Sequence, residues 1–147
     1  MQIEKTNNLL ELFYDQYQRQ DKESIFLQSL KEPKKKYSWE DVYSNINKLS
    51  EEVSKYIKKG DRCLLISENR PEWMIADLSI MLSGGITVPA YTTYSERDYE
   101  YIIDDCTPTI LIISDKTQFK KIKNIIPKKQ FIKKIIFFEN IDNFNKE

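Results

Sequence analysis

Histidine is absent from this sequence, and cysteine occurs only twice in 147 residues, as Cys63 and Cys106. Without imidazole there is no Ser-His-Asp or Cys-His nucleophile pair in its usual form, and two cysteines do not complete a structural or catalytic zinc site. Both cysteines sit among aliphatic neighbours, far apart in sequence, which reads as two small buried thiols rather than a disulfide framework. Glycine is scarce as well: Gly60, Gly84 and Gly85 are all there are. No loop of bare backbone N–H groups can be built from them to wrap a triphosphate. Net charge of either sign is missing, since 23 basic side chains balance 23 acidic ones. No global field then draws the chain to nucleic acid or to an anionic bilayer. The opening stretch MQIEKTNNLLELF holds no apolar run long enough for a signal peptide or a membrane span, so a cytoplasmic location is expected.

What is present suits a soluble globular domain. Hydrophobic residues make up 40% and charged residues 31% of the chain, and its length allows one domain with a true apolar core. Residues 8–20 place Leu9, Leu10, Leu12, Phe13 and Tyr17 near helical period, which predicts an amphipathic helix. Residues 24–30 and 34–37 flank Lys31, Glu32 and Pro33 and read as a hairpin or two edge strands. Ser38 followed by Asp41 has the form of a capping box, so a helix should start at Trp39. Val42, Ile46, Leu49, Val53 and Tyr56 give that helix its apolar face, with Gly60 as its left-handed C-terminal cap.

Four aliphatic stretches follow. Residues 62–67 show no polar alternation, as expected of a strand covered on both faces. Pro71 opens a helix that is apolar nearly all round and ends at Gly84 and Gly85. Residues 86–91 read as a strand whose regular pairing stops at Pro89. Ser95 and Asp98 form a second capping box, opening a helix with Tyr99, Ile102, Ile103 and Cys106 inward. Residues 109–114 and 134–138 are further strands, and 117–126 a helix between them. Strands near Arg62, Ile86, Thr109 and Lys134, each separated by one helix, have the spacing of βαβ units. The fold class expected is α/β: a doubly wound, mainly parallel sheet with helices on both faces, preceded by a helix and a short strand pair. Residues 140–147 are polar and patternless, an irregular tail.

Several of these residues, taken in order, resemble the N-terminal region of AMP-forming acyl-CoA synthetases, particularly long-chain fatty acid–CoA ligases. Tyr37-Ser38-Trp39 is similar to the family's Tyr-Thr-Trp, and Gly60-Asp61-Arg62 to its Gly-Asp-Arg-Val. Asn69-Arg70-Pro71-Glu72-Trp73 resembles Asn-Arg-Pro-Glu-Trp, and the run from Gly84 through Val88, Pro89, Ala90 and Tyr91 resembles Gly-Ala-x-x-Val-Pro-x-Tyr. Residues 101–106 resemble the helix that follows. By their own chemistry these positions are mainly structural: Asn69 can cap a helix, Pro71 presets its first turn, and Trp73 fills space beneath it.

The resemblance implies that residues 1–147 are part of an N-terminal AMP-binding domain, cut off before the catalytic machinery. The complete enzyme would use ATP, Mg²⁺ and CoA to convert a fatty acid to acyl-CoA. The phosphate loop, the Thr-Glu pair and the lid lysine of the family are not found in this sequence, so no catalytic and no metal-ligating residue is assigned. The fragment alone is expected to be inactive and to bind none of these cofactors, its partner being the remainder of a synthetase or a complementing chain. Peripheral membrane contact of the full-length form stays open. Ser114-Asp115 matches a family position after which some relatives place arginines on the phosphate of CoA; here Lys120 and Lys121 are neighbours of those positions and the only candidates for that contact. A solvated face is the alternative reading of the lysines between Lys116 and Lys134. Two rival functions remain: a stand-alone α/β binding module, and a non-catalytic subunit that docks on another chain through an uncovered apolar surface.

Overall fold

The computed structural model describes residues 7–32 and 34–138; the tail at 140–147 lies outside the described residues. The chain begins with α1 (Leu9–Arg19), whose first turn is closed by the Asn8 side chain accepting from the Glu11 N–H at 2.9 Å. Strands β1 (Ile25–Gln28) and β2 (Lys36–Ser38) pair antiparallel, with Leu27 opposite Tyr37. Helix α2 (Trp39–Ser54) then starts at a complete capping box, in which Ser38 Oγ accepts from the Asp41 N–H at 3.1 Å and the Asp41 carboxylate accepts from the Ser38 N–H at 2.8 Å.

The rest of the chain alternates strand and helix: β3 (Arg62–Ile66), α3 (Pro71–Leu82), β4 (Ile86–Ala90), α4 (Glu96–Cys106), β5 (Ile110–Ile113), α5 (Lys116–Ile122), a 3₁₀ turn (Ile126–Lys128) and β6 (Lys134–Phe137). The four strands form one parallel sheet in the order β4-β3-β5-β6. Successive side chains leave a strand on opposite faces, and this splits the aliphatic runs between two cores. Cys63, Leu65, Ile110, Ile112 and Ile136 meet α2 and α3 through Leu49, Val53, Ala76 and Ile80. Leu64, Ile66, Leu111 and Ile113 meet α4 and α5 through Tyr99, Ile103 and Ile122. Both faces are thus covered, as the unalternating strands require, and each fully buried aliphatic side chain contributes about 1.5–3 kcal/mol. A third cluster of Phe13, Tyr37, Val42, Ile46, Ile75 and Leu78 fastens α1 and the hairpin onto α2 and α3.

Four local expectations differ from the structure. Helix α2 stops at Ser54 rather than running to Gly60. Ser54 Oγ donates to the Ser50 carbonyl at 2.5 Å, a side-chain bond that competes with helix continuation, and Tyr56 and Ile57 turn into the core. Gly60 does have a left-handed φ of 87°, but it serves the turn into β3, donating its N–H to Gly84 O at 2.8 Å. Pairing of β4 continues past Pro89 to Ala90, which faces Ile66; β4 is an edge strand among the described residues, where a missing N–H costs no ladder bond. Helix α5 ends at Ile122 instead of Ile126, and Pro127 sits within the 3₁₀ turn that replaces its last part. Finally, Cys63 is fully buried while Cys106 is only half-buried, and both thiols are free.

Candidate functional site

The loops leaving β3, β4 and β5 share the C-terminal rim of the sheet, the edge at which open α/β sheets bind ligands. A crevice of about 200 Å³ opens there between the ends of β3 and β4, lined by Ser67, Asn69, Trp73, Pro89, Ala90 and Tyr91. Four of the residues singled out in the sequence, Asn69, Trp73, Pro89 and Tyr91, therefore share one surface. Tyr91 is 73% exposed. Its ring stands edge-on to Tyr94 with centroids 5.5 Å apart, and Tyr94 in turn meets Tyr99 at 5.8 Å. The Tyr99 hydroxyl donates to the Tyr91 carbonyl at 2.7 Å, which fixes the start of this loop on α4. Burial pushes the Tyr99 phenol up to about 12, so it remains a donor across the physiological range.

Arg70, Pro71 and Glu72 sit behind the crevice. Arg70, not Asn69, is the N-cap residue of α3; its backbone is extended and its side chain makes no capping bond. The guanidinium instead reaches forward to the Glu72 carboxylate with two contacts of 2.8 and 3.1 Å. Pro71 occupies the first turn, as expected. Glu72 is 1% exposed and also accepts from the Tyr37 hydroxyl at 3.0 Å and pairs with the Lys35 ammonium. Burial alone would raise its pKa. The bonds from Arg70, Lys35 and the backbone outweigh that and hold the carboxyl down at about 2. This carboxylate is a fixed negative charge, bonded on every side, and is not available as a proton carrier.

Trp39 lies away from the rim. Its indole stacks on Phe26 with centroids 3.8 Å apart and lines a wholly apolar groove of about 190 Å³ with Leu9, Leu12, Met74 and Leu78 among its walls. Lys120 is exposed on α5. Lys121, half-buried, donates to the Thr92 carbonyl and so ties α5 to the loop after β4. The two lysines thus share a helix but not an environment. Lys35 was not marked in the sequence as a partner of Glu72, and no local signal could mark it, because the contact crosses from the hairpin to α3.

The three glycines all lie at the opposite end of the sheet from this rim. Gly60 precedes β3, while Gly84 and Gly85 precede β4 and close α3: the Gly84 N–H bonds Met81 O at 3.0 Å and the Gly85 N–H bonds Ile80 O at 2.9 Å. They do not fit a phosphate cradle. No group of three or more Cys, Asp or Glu side chains that could hold a metal ion occurs among the described residues, and no helix among them is long and apolar enough to cross a membrane.

The model of the AMP-binding enzyme family matches residues 13–146. The chain belongs to that family. Among curated relatives, the long-chain-fatty-acid–CoA ligase ACSBG2 of Gallus gallus is 37% identical over 54 residues, which is 37% of this chain and 7% of the relative. The long-chain-fatty-acid–CoA ligase ACSBG1 of Rattus norvegicus is 26% identical over 112 residues, 72% of this chain and 16% of the relative. This member of the AMP-binding family therefore spans only a small part of the length of those ligases. Of solved structures, the anthranilate CoA ligase AuaEII in complex with anthranoyl-AMP superposes on 90% of this chain and 26% of its own, with a TM-score of 0.78 at 19% identity. That likeness shows the fold.

Proposed function

We propose that this chain supplies the N-terminal α/β part of the nucleotide and acyl pocket of a long-chain fatty acid–CoA ligase, an enzyme that joins fatty acid and CoA with conversion of ATP to AMP and pyrophosphate. By itself the chain scaffolds and does not catalyse. The observation that carries this reading is the division of the sheet into two unlike ends. The rim holds aromatic and hydroxyl side chains on loops braced by Tyr99 and Lys121, while every glycine is committed to turns at the far end. ATP, Mg²⁺ and CoA would be held chiefly by the rest of the enzyme, with Lys120 and Lys121 as the candidates in this chain for a contact with the phosphate of CoA. The partner would be the remainder of a synthetase or a complementing chain; the complete enzyme would work in the cytoplasm, with peripheral contact to the membrane in which its fatty acid partitions.

A second reading, a non-catalytic module that docks on another chain, is favoured by the apolar groove, where Leu9 and Leu12 are 48% and 37% exposed. One experiment separates the two. The purified chain is mixed with a long-chain ligase from which the matching N-terminal segment has been deleted, and acyl-CoA formation is followed. Recovery of acyl-CoA synthesis supports the scaffold reading; binding without recovery supports the docking module.

A further inference from the structure

Charge balances over the whole chain but not along it. Between Lys116 and Phe138 stand eight lysines, with no arginine and no acid, so the compensating negative charge lies elsewhere. Some of these lysines are committed within the fold. Lys121 donates to the Thr92 carbonyl, Lys129 pairs with Asp104 and, at 3.9 Å, with Glu100, and Lys134 pairs with Glu52 at 3.3 Å. Lys116, Lys120 and Lys123 are exposed, and their ammonium groups meet no acid or other hydrogen-bond partner among the described residues. They stand at i, i+4 and i+7 along α5 and its C-cap, which makes one stripe on the helix surface. The acid next to them in sequence, Asp115, is occupied as the N-cap, its carboxylate accepting from the N–H groups of Thr117 and Gln118. Phe119, one turn before Lys123, is half-buried and meets the half-buried Phe137 of β6 edge-on, with centroids 5.4 Å apart. Apolar surface therefore reaches solvent beside the free charges.

A group of cations bordered by apolar surface, and unanswered by acids of its own fold, is complementary to an anionic surface. We infer that the stripe of Lys116, Lys120 and Lys123, with Phe119 at its side, is where this protein docks on a membrane bearing anionic lipid headgroups. The side-chain chemistry selects that occupant. Lysine is a mobile, strongly hydrated point charge, suited to the diffuse field of a headgroup layer, whereas recognition of a single phosphate or of nucleic acid favours the planar fork of arginine, which this segment lacks. Stacking on bases also requires open ring faces, and the Phe119 and Phe137 rings pack on one another. Helix α5 follows directly on β5, so the stripe begins at the rim, and a membrane held there lies next to the end of the sheet that carries the crevice. The inference names the surface for the peripheral contact proposed above; it rests on that part of the reading and not on ligase activity.

The test is co-sedimentation of the purified chain with vesicles of phosphatidylcholine alone, or of phosphatidylcholine with about one phosphatidylserine in three. Binding is expected to the mixed vesicles only, fading as salt is raised toward about 0.5 M. Each lysine near such a surface contributes about fivefold to partitioning, so the triple variant K116Q/K120Q/K123Q should bind on the order of a hundredfold more weakly. A control, K36Q/K58Q/K59Q, removes the same charge from three exposed lysines elsewhere on the surface and should stay within about twofold of the natural chain. Equal loss in the two triple variants, equal binding to both vesicle types, or binding to neither overturns the proposal. Displacement from the mixed vesicles by submillimolar inorganic phosphate or CoA at constant ionic strength also overturns it, because the site would then be one for a soluble phosphate, and so does tighter binding to a single-stranded oligonucleotide. Far-UV circular dichroism checks that the variants fold; should the stripe variant fail to, the dependence of the natural chain on lipid composition and salt decides the question by itself.

Discussion

The Tyr37 hydroxyl donates a 3.0 Å hydrogen bond to the Glu72 carboxylate, joining β2 to α3 across 35 residues of sequence. With Arg70 and Lys35 on the same carboxylate, this makes the acid of the Asn-Arg-Pro-Glu-Trp stretch the fastening between the hairpin and the sheet-covering helices. Its role is structural, and it positions the rim by fixing the N-terminus of α3.

Glu72→Gln is expected to destabilise the fold by about 3 kcal/mol, since removing one charge from a buried, hydrogen-bonded set leaves its partners uncompensated. Urea unfolding at pH 7 measures this. A change under about 0.5 kcal/mol, the range of ordinary surface substitutions, would contradict the role assigned to Glu72.

The same carboxylate sets a pH dependence. Its folded-state pKa is depressed from 4.5 to about 2, so its contribution is fully present above the unfolded value and is lost as pH falls from about 4.5 toward 2. Urea midpoints at pH 7, 4 and 3 should fall more steeply for the natural chain than for Glu72→Gln. Parallel profiles would show that other acids dominate.

Ser38→Ala and Ser95→Ala are each expected to cost about 1 kcal/mol, and the pair should be additive because the two capping boxes belong to different helices. Thermal unfolding of the two single variants and the double variant checks this. These boxes were legible in the sequence because a cap is a contact between residues three apart, and the aliphatic strands were legible because burial on both faces removes alternation. What was not legible depends on distant partners. Asn69 looks like the better cap than Arg70 until Glu72 takes the Arg70 guanidinium, and Gly60 looks like the end of α2 until Gly84, from another loop, accepts its N–H. The strands that carry the rim were visible in the sequence. The crevice was not, since its walls come from the loop after β3, from α3 and from the end of β4 together.

The glycines separate two kinds of cost. Gly84→Ala places a side chain at a φ of 80° with no contact closer than 3.6 Å, so only conformational strain of about 1–2 kcal/mol is expected. Gly85→Ala has no such φ, but its Cβ would come within 2.9 Å of Ile57 Cδ1 and 3.0 Å of Ile80 Cγ2. Overpacking of about 1–3 kcal/mol is expected there. Trimming Ile57 to Val should recover part of the loss in Gly85→Ala and none in Gly84→Ala, as read by chemical denaturation.

Lys121 and Lys120 should differ in the reassembled enzyme. Lys121→Met removes the tie to Thr92 and should loosen the loop after β4, seen as faster hydrogen exchange there, whereas Lys120→Met should leave that exchange unchanged. If either lysine meets CoA, its replacement raises the KM for CoA; an unchanged KM in the double variant removes both from the site.

The most direct test of the account is pyrophosphate release by the purified chain given ATP, Mg²⁺, palmitate and CoA, beside a complete long-chain ligase as control. A scaffold whose glycines all lie away from the rim should release none above background while the control turns over. Sustained, stoichiometric release of pyrophosphate by the chain alone would contradict it.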